Sequence, residues 1–132
     1  MNVLIVSPET GSRELMRVVI GGLETRLGLP VRFLEAEDAE QAVGVAEREL
    51  PDVIVVDEIA SRAGAFSLAR DLRDAEEPYR GVVVMLLERR QDAWLAERSG
   101  ADAWFVKPVD PFELADRLVE LAGAEVRTHG GA

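Results

Sequence analysis

The chain has 132 residues, 48% of them hydrophobic and 30% charged, which fits one domain able to bury about two thirds of its unfolded surface and excludes a disordered segment. Its 15 basic residues face 25 acidic ones, a formal net charge of −10, so neither a nucleic-acid duplex nor an anionic membrane is an expected partner. There is no cysteine, and the single histidine, His129, lies in a Gly-rich tail. These counts exclude disulfides, thiolate metal sites, cysteine nucleophiles, Ser-His-Asp triads and multi-histidine metal sites.

The first apolar run, Val3 to Val6, begins without a charged leader, and no run approaches the ~20 apolar residues of a membrane span. A cytoplasmic location is the expectation. Leu15, Val19, Leu23 and Leu27 then recur on one helical face, which Gly28-Leu29-Pro30 stops; the Gly21-Gly22 pair weakens this helix or lets it pack closely. Val31 to Leu34 alternates with polar residues and suits a sheet edge. Ala39, Ala42, Val43, Ala46 and Leu50 form the second helical stripe, closed by Pro51. Val53 to Val56 is wholly aliphatic, as a central strand should be. Phe66, Ala69 and Leu72 mark a third helix, Val82 to Leu87 a second central strand, and Trp94 and Leu95 a fourth helix ending at Ser99-Gly100. Ala103 to Val106 is the last strand, again of edge character. Asp110-Pro111-Phe112-Glu113 opens the fifth helix with a capping acid, Pro at the first helical position and Glu at the third, and Ala115, Leu118, Val119 and Ala122 continue it. Residues 1–123 are therefore expected to form the domain, and 124–132 a flexible tail or linker.

Five strand–helix repeats predict an α/β fold, a doubly wound parallel sheet whose binding crevice lies at the carboxyl ends of the strands. The crevice loops begin at Ser7, Glu35, Asp57, Glu88 and Lys107. Asp57 ends the central run, and a carboxylate there is costly unless paired. Lys107 ends the last strand on the same side and is the only lysine among the 15 basic residues, which points to a position that wants a compact ammonium rather than a planar fork. Pairing the two is the simplest arrangement; the alternative leaves a loop acid and a surface cation.

Val3-Leu4-Ile5-Val6, Pro51-Asp52-Val53-Ile54-Val55-Val56-Asp57 and, most specifically, the string from Gly100 to Pro111 (GADAWFVKPVDP) resemble the response-regulator receiver domain over about residues 2 to 122. The resemblance implies a flavodoxin-like (βα)5 three-layer sandwich with five strands in the order 2-1-3-4-5, Asp57 as phosphoacceptor, Lys107 as the partner of the phosphoryl group, and a cis peptide at Lys107-Pro108. It also implies a signalling module rather than an enzyme. Its partners would be a histidine kinase, an output domain or another signalling protein.

The departures from that pattern are as informative. Where the family has two adjacent acids that hold Mg²⁺, this chain has Ser7 and Pro8, and neither supplies the anionic oxygens a hard cation needs. Mg²⁺ binding is expected only if this degenerate pocket still works, with Glu9 as a weak substitute and Glu58 and Glu88 in flanking loops. At the family's Ser/Thr switch position a Met or Leu stands, assigned to Leu86, and Trp104 takes the place of the Tyr or Phe that moves with it. The third loop, Ile59 to Ala65, lacks the usual Pro and Asp-Gly. The chain therefore looks like a pseudo-receiver that acts by protein–protein interaction, without a cofactor and with Asp57 phosphorylation weakened or absent.

Arg89, Arg90, Trp94, Trp104 and Phe112 supply aromatic and Arg anchors near the face made by the fourth helix, fifth strand and fifth helix, which the family uses for docking or for a homodimer. Two other readings stay open. One is a conventional phosphoaccepting regulator with an unusual metal site. The other is a flavin or phosphate-ligand binder, because Ser7-Pro8-Glu9-Thr10-Gly11-Ser12 resembles the phosphate loop of flavodoxins.

Overall fold

Strands β1 (Asn2–Val6), β2 (Arg32–Ala36), β3 (Val53–Asp57), β4 (Val82–Leu87) and β5 (Ala103–Val106) lie parallel in one sheet in the order β2-β1-β3-β4-β5. This is the order implied by the sequence resemblance. The structure is a computed structural model and describes residues 1–58 and 64–130. The three aliphatic runs occupy the centre and are buried throughout, whereas β2 and β5 lie at the edges and are half-exposed. Edge strands tolerate alternation because one face meets solvent.

The strand period of two divides the core into two layers. On one face Leu4, Val6, Ile54, Val56, Val83, Met85 and Leu87 pack under α3 (Ala39–Glu49), α4 (Gly64–Asp74) and α5 (Ala93–Arg98). On the other, Val3, Ile5, Val53, Val55, Val82, Val84 and Leu86 pack under α1 (Thr10–Gly21), α2 (Leu23–Leu27) and α6 (Pro111–Gly130). Each fully buried Val, Leu or Ile contributes about 1.5–3 kcal/mol relative to exposure, and these strands bury almost nothing else.

Two helices differ from the sequence expectation. The first periodic segment is two helices, because α1 ends at Gly21 and α2 starts at Leu23 across Gly22; adjacent glycines weaken a helix interior. The fourth and fifth helices read from the sequence are consequently α5 and α6. The last helix also continues to Gly130, where a tail was expected from Ala124. A single Gly123 is tolerable inside a helix, and the Ala, Glu and Arg residues that follow are good helix formers. The third-loop departure falls mainly on residues 59–63, outside the described residues.

The free edge at β2 carries charge. Glu35 pairs with Arg13 at 3.4 Å and Arg17 at 3.2 Å, and the Arg17 guanidinium lies 5.5 Å from the centre of the Phe33 ring. At the amino ends of the strands, Arg73 donates to the carbonyls of Tyr79 (2.7 Å), Gly81 (2.9 Å) and Gly100 (3.1 Å) and to Asp102 Oδ2 (2.9 Å). Among the described residues no helix is long and apolar enough to cross a membrane.

Candidate functional site

The carboxyl ends of β1, β3, β4 and β5 bring Ser7, Asp57, Glu88 and Lys107 into one cluster. Asp57 is the last residue of β3 and follows four buried aliphatic residues, so the strand itself carries its carboxylate to the crevice floor, where the residue is 1% exposed. Lys107 follows β5, its amide bonded to the Leu87 carbonyl, and is joined to Pro108 by a cis peptide. Its Nζ donates to Asp57 Oδ1 at 2.6 Å. The Ser7 hydroxyl lies 3.4 Å from Asp57 Oδ2 and accepts the Glu9 amide at 3.2 Å. Thus both oxygens of Asp57 face donors from the chain itself.

Lys107 also contacts the carboxylate of Glu88, the first residue after β4, so one ammonium sits between two acids. Burial alone would lower the Lys107 pKa, but hydrogen bonds to Asp57 and Glu88, and the charges of both, raise it above the ordinary lysine value. Glu58 accepts the Glu88 amide. Burial raises the Glu58 pKa; the Glu88 amide opposes this, while the hydrogen bond and charge of Asp92 and the charge of Glu88 reinforce it. Two acids, Asp57 and Glu88, thus hold the lysine, with Glu58 reached through the Glu88 amide; among the described residues no group of three or more His, Cys, Asp or Glu side chains is placed to hold a metal ion.

The other expected site residues are distributed as follows. Pro8 and Glu9 are exposed, and the Glu9 carboxylate accepts the Ser12 hydroxyl at 3.0 Å, which puts negative charge at the start of α1. An anion at that helix end would meet a carboxylate instead of free donors. Leu86 is in register with Asp57 and, with Ser12, Leu15, Met16 and Lys107, lines a cavity of about 210 Å³ beside the acid. Trp104 is in register with Met85 and packs against the opposite core layer, which contains Met85 and Leu87. The strand parity therefore separates Leu86 from Trp104, and Leu87 is the leucine that shares the Trp104 face.

The Trp104 indole donates to Glu97 at 3.1 Å, and the Arg90 guanidinium lies 5.8 Å from its ring centre. Arg90 and Trp104 thus meet, while Arg89 pairs with Asp92 at 3.6 Å. Trp94 is 58% exposed on α5 and Phe112 81% exposed on the first turn of α6. Sequence reasoning placed Glu88 in a flanking loop and missed its hold on Lys107. Its position at the head of a crevice loop was the available signal, but the path of that loop was not readable.

No family model matches the chain. It is 30% identical over 125 residues to an uncharacterized 14.6 kDa protein of Leptolyngbya boryana, an alignment that covers 91% of this chain and 88% of that one. It is 31% identical over 120 residues to the phosphate regulon transcriptional regulatory protein PhoB of Pseudomonas aeruginosa, covering 88% of this chain and 49% of the regulator, so it spans about half the length of that relative. Among solved structures it resembles the receiver domain of the sensor histidine kinase PA1611 from Pseudomonas aeruginosa PAO1, which has a magnesium ion coordinated in its active-site cleft. The TM-score is 0.75 at 23% identity, over 92% of this chain and 97% of that one.

Proposed function

The chain belongs to the response-regulator receiver family, and on that premise we propose that it is a pseudo-receiver: a signalling module that acts by docking other proteins, with phosphorylation of Asp57 absent or much weakened. The observation that carries this reading is the occupation of the pocket by its own side chains. Lys107 is held between Asp57 and Glu88, and Ser7 faces the second oxygen of Asp57.

A divalent ion of the Mg²⁺ class wants six oxygens in near-octahedral array, several of them anionic. Ser7 offers one hydroxyl, Pro8 offers no side-chain donor, and the Asp57 and Glu88 carboxylates are already on an ammonium that would repel a cation. We read this donor set as one that does not fit Mg²⁺. Leu86, beside Asp57, adds an apolar wall without a hydroxyl.

In this reading the partners are a histidine kinase, an output domain or another cytoplasmic signalling protein, and the face around α5, β5 and α6 is the place for docking or for a homodimer. Arg90 over Trp104, with exposed Trp94 and Phe112, supplies anchors of the kind enriched at binding hot spots.

Incubation with acetyl phosphate and Mg²⁺, followed by intact-mass measurement, should leave the chain unmodified. Restoring acids with Ser7→Asp and Pro8→Asp together should yield a phosphoryl adduct that disappears when Asp57→Asn is added. An adduct on the unaltered chain that is lost in Asp57→Asn and forms as fully as in the acid-restored variant would overturn the proposal in favour of a working receiver.

A further inference from the structure

At the opposite end of the sheet, away from Asp57, residues of α3, α4 and the segments that follow them line a cleft of about 470 Å³. That volume lies in the range of ligand pockets. Its floor is aliphatic, made by Val43, Ala46 and Leu72, with exposed Leu50 at its edge, and its rim carries Glu47, Asp52, Asp71 and Glu77 against the single cation Arg80. We infer that this cleft docks a peptide segment of a partner protein that places an aliphatic side chain on the floor beside Lys or Arg residues.

Three observations carry the inference. The first is charge: four exposed carboxylates against one guanidinium select a basic segment and reject an acidic one. The Asp52 carboxylate already accepts the Asn2 amide at 2.7 Å, which fixes its position on the rim.

The second is Leu50. It is the C-cap of α3 with φ +44°, the only described non-glycine residue at positive φ, and it is 70% exposed. Glycine is the usual and less strained choice at such a helix end. The αL cap closes α3 through the Leu50 amide on the Ala46 carbonyl at 3.0 Å, but a glycine would close it with less strain, and the leucine instead places an exposed apolar side chain at the cleft.

The third is that the cleft is preformed. The Tyr79 hydroxyl donates to the Pro51 carbonyl at 2.6 Å, the Tyr79 amide to Leu72 at 2.8 Å and the Val82 amide to Asp52 at 3.0 Å. Gly81 is required there, since a Cβ would lie 2.2 Å from the Tyr79 hydroxyl oxygen. Walls tied in this way need little ordering on binding.

The test is an NMR titration of the ¹⁵N-labelled full chain with acetyl-Arg-Leu-Leu-Arg-amide, beside acetyl-Glu-Leu-Leu-Glu-amide as control. The basic peptide should shift the amides of Val43, Leu50, Leu72 and Gly81 in a saturable manner at millimolar concentration, and the acidic one should not. Asp71→Asn with Glu77→Gln should weaken binding about tenfold, as expected for the loss of two partly screened charge contacts. Leu50→Gly should also weaken it while spectral dispersion shows an intact fold. Absence of shifts in the cleft, equal shifts with both peptides, or no effect of these variants would overturn the inference. None of these outcomes bears on the Asp57 pocket.

Discussion

Asp57 and Lys107 meet at 2.6 Å across the carboxyl edge of the sheet, the acid 1% and the amine 26% exposed. Removing only the amine strands a buried carboxylate, which is more damaging than removing both charges. Lys107→Ala should therefore destabilise the fold by about 1–3 kcal/mol, and adding Asp57→Asn should recover much of the loss. Urea unfolding midpoints of the single and double variants check this; unchanged midpoints would mean that the acid is solvated.

The same pair has a pH signature. A raised lysine pKa means that the folded state holds the proton more tightly, so its contribution is complete below the ordinary value of 10.5 and is lost as pH rises through the higher folded value. Thermal melts of the unaltered chain should fall along that alkaline limb more steeply than those of Lys107→Met.

Glu58 has the opposite consequence near neutrality. Its pKa is raised from 4.5, so the folded state favours the protonated acid; its contribution is present below 4.5 and is lost as pH rises through the folded value. Glu58→Gln, which keeps an oxygen for the Glu88 amide, should be more stable than the unaltered chain at pH 7, with the difference shrinking toward pH 4. Melting temperatures measured at both pH values decide it.

Arg73 ties four acceptors at the amino end of the sheet with one planar guanidinium. Arg73→Ala should cost about 1.5–3 kcal/mol, because three part-buried carbonyls lose a charge-assisted donor. Arg73→Lys should recover little of this, since an ammonium cannot reproduce the fork. Denaturant midpoints of the two variants make the comparison.

Leu50→Gly should raise stability by about 0.5–1 kcal/mol through release of left-handed strain, even as it weakens the cleft. A lowered midpoint would show that Leu50 packs favourably where it stands.

The architecture was legible because short Val-rich runs and longer helical stripes differ in length and pattern: Val53 to Val56 and Val82 to Leu87, short, rich in β-branched residues and set between helical stripes, read as buried strands, and their ends fixed where Asp57 and the Glu88 loop begin. The strand-end placement of Lys107 was readable in the same way. What escaped depends on a one-residue parity or on a loop path. Leu86 and Leu87 look interchangeable in a run of six apolar residues, yet they face different layers. Glu88 reaches Lys107 only because β4 and β5 are neighbours and the turn after β4 folds inward. The cleft under Leu50 gathers residues from two helices and two loops, and no local pattern announces it.

The ion pairs of Glu35 with Arg13 and Arg17, and the guanidinium over Phe33, line the unpaired margin of β2. An incoming strand would meet these paired charges as it tried to continue the sheet there, which makes this margin a poor template for strand addition. Of the sheet's two margins, strand addition is thereby disfavoured at β2 and left to the short β5.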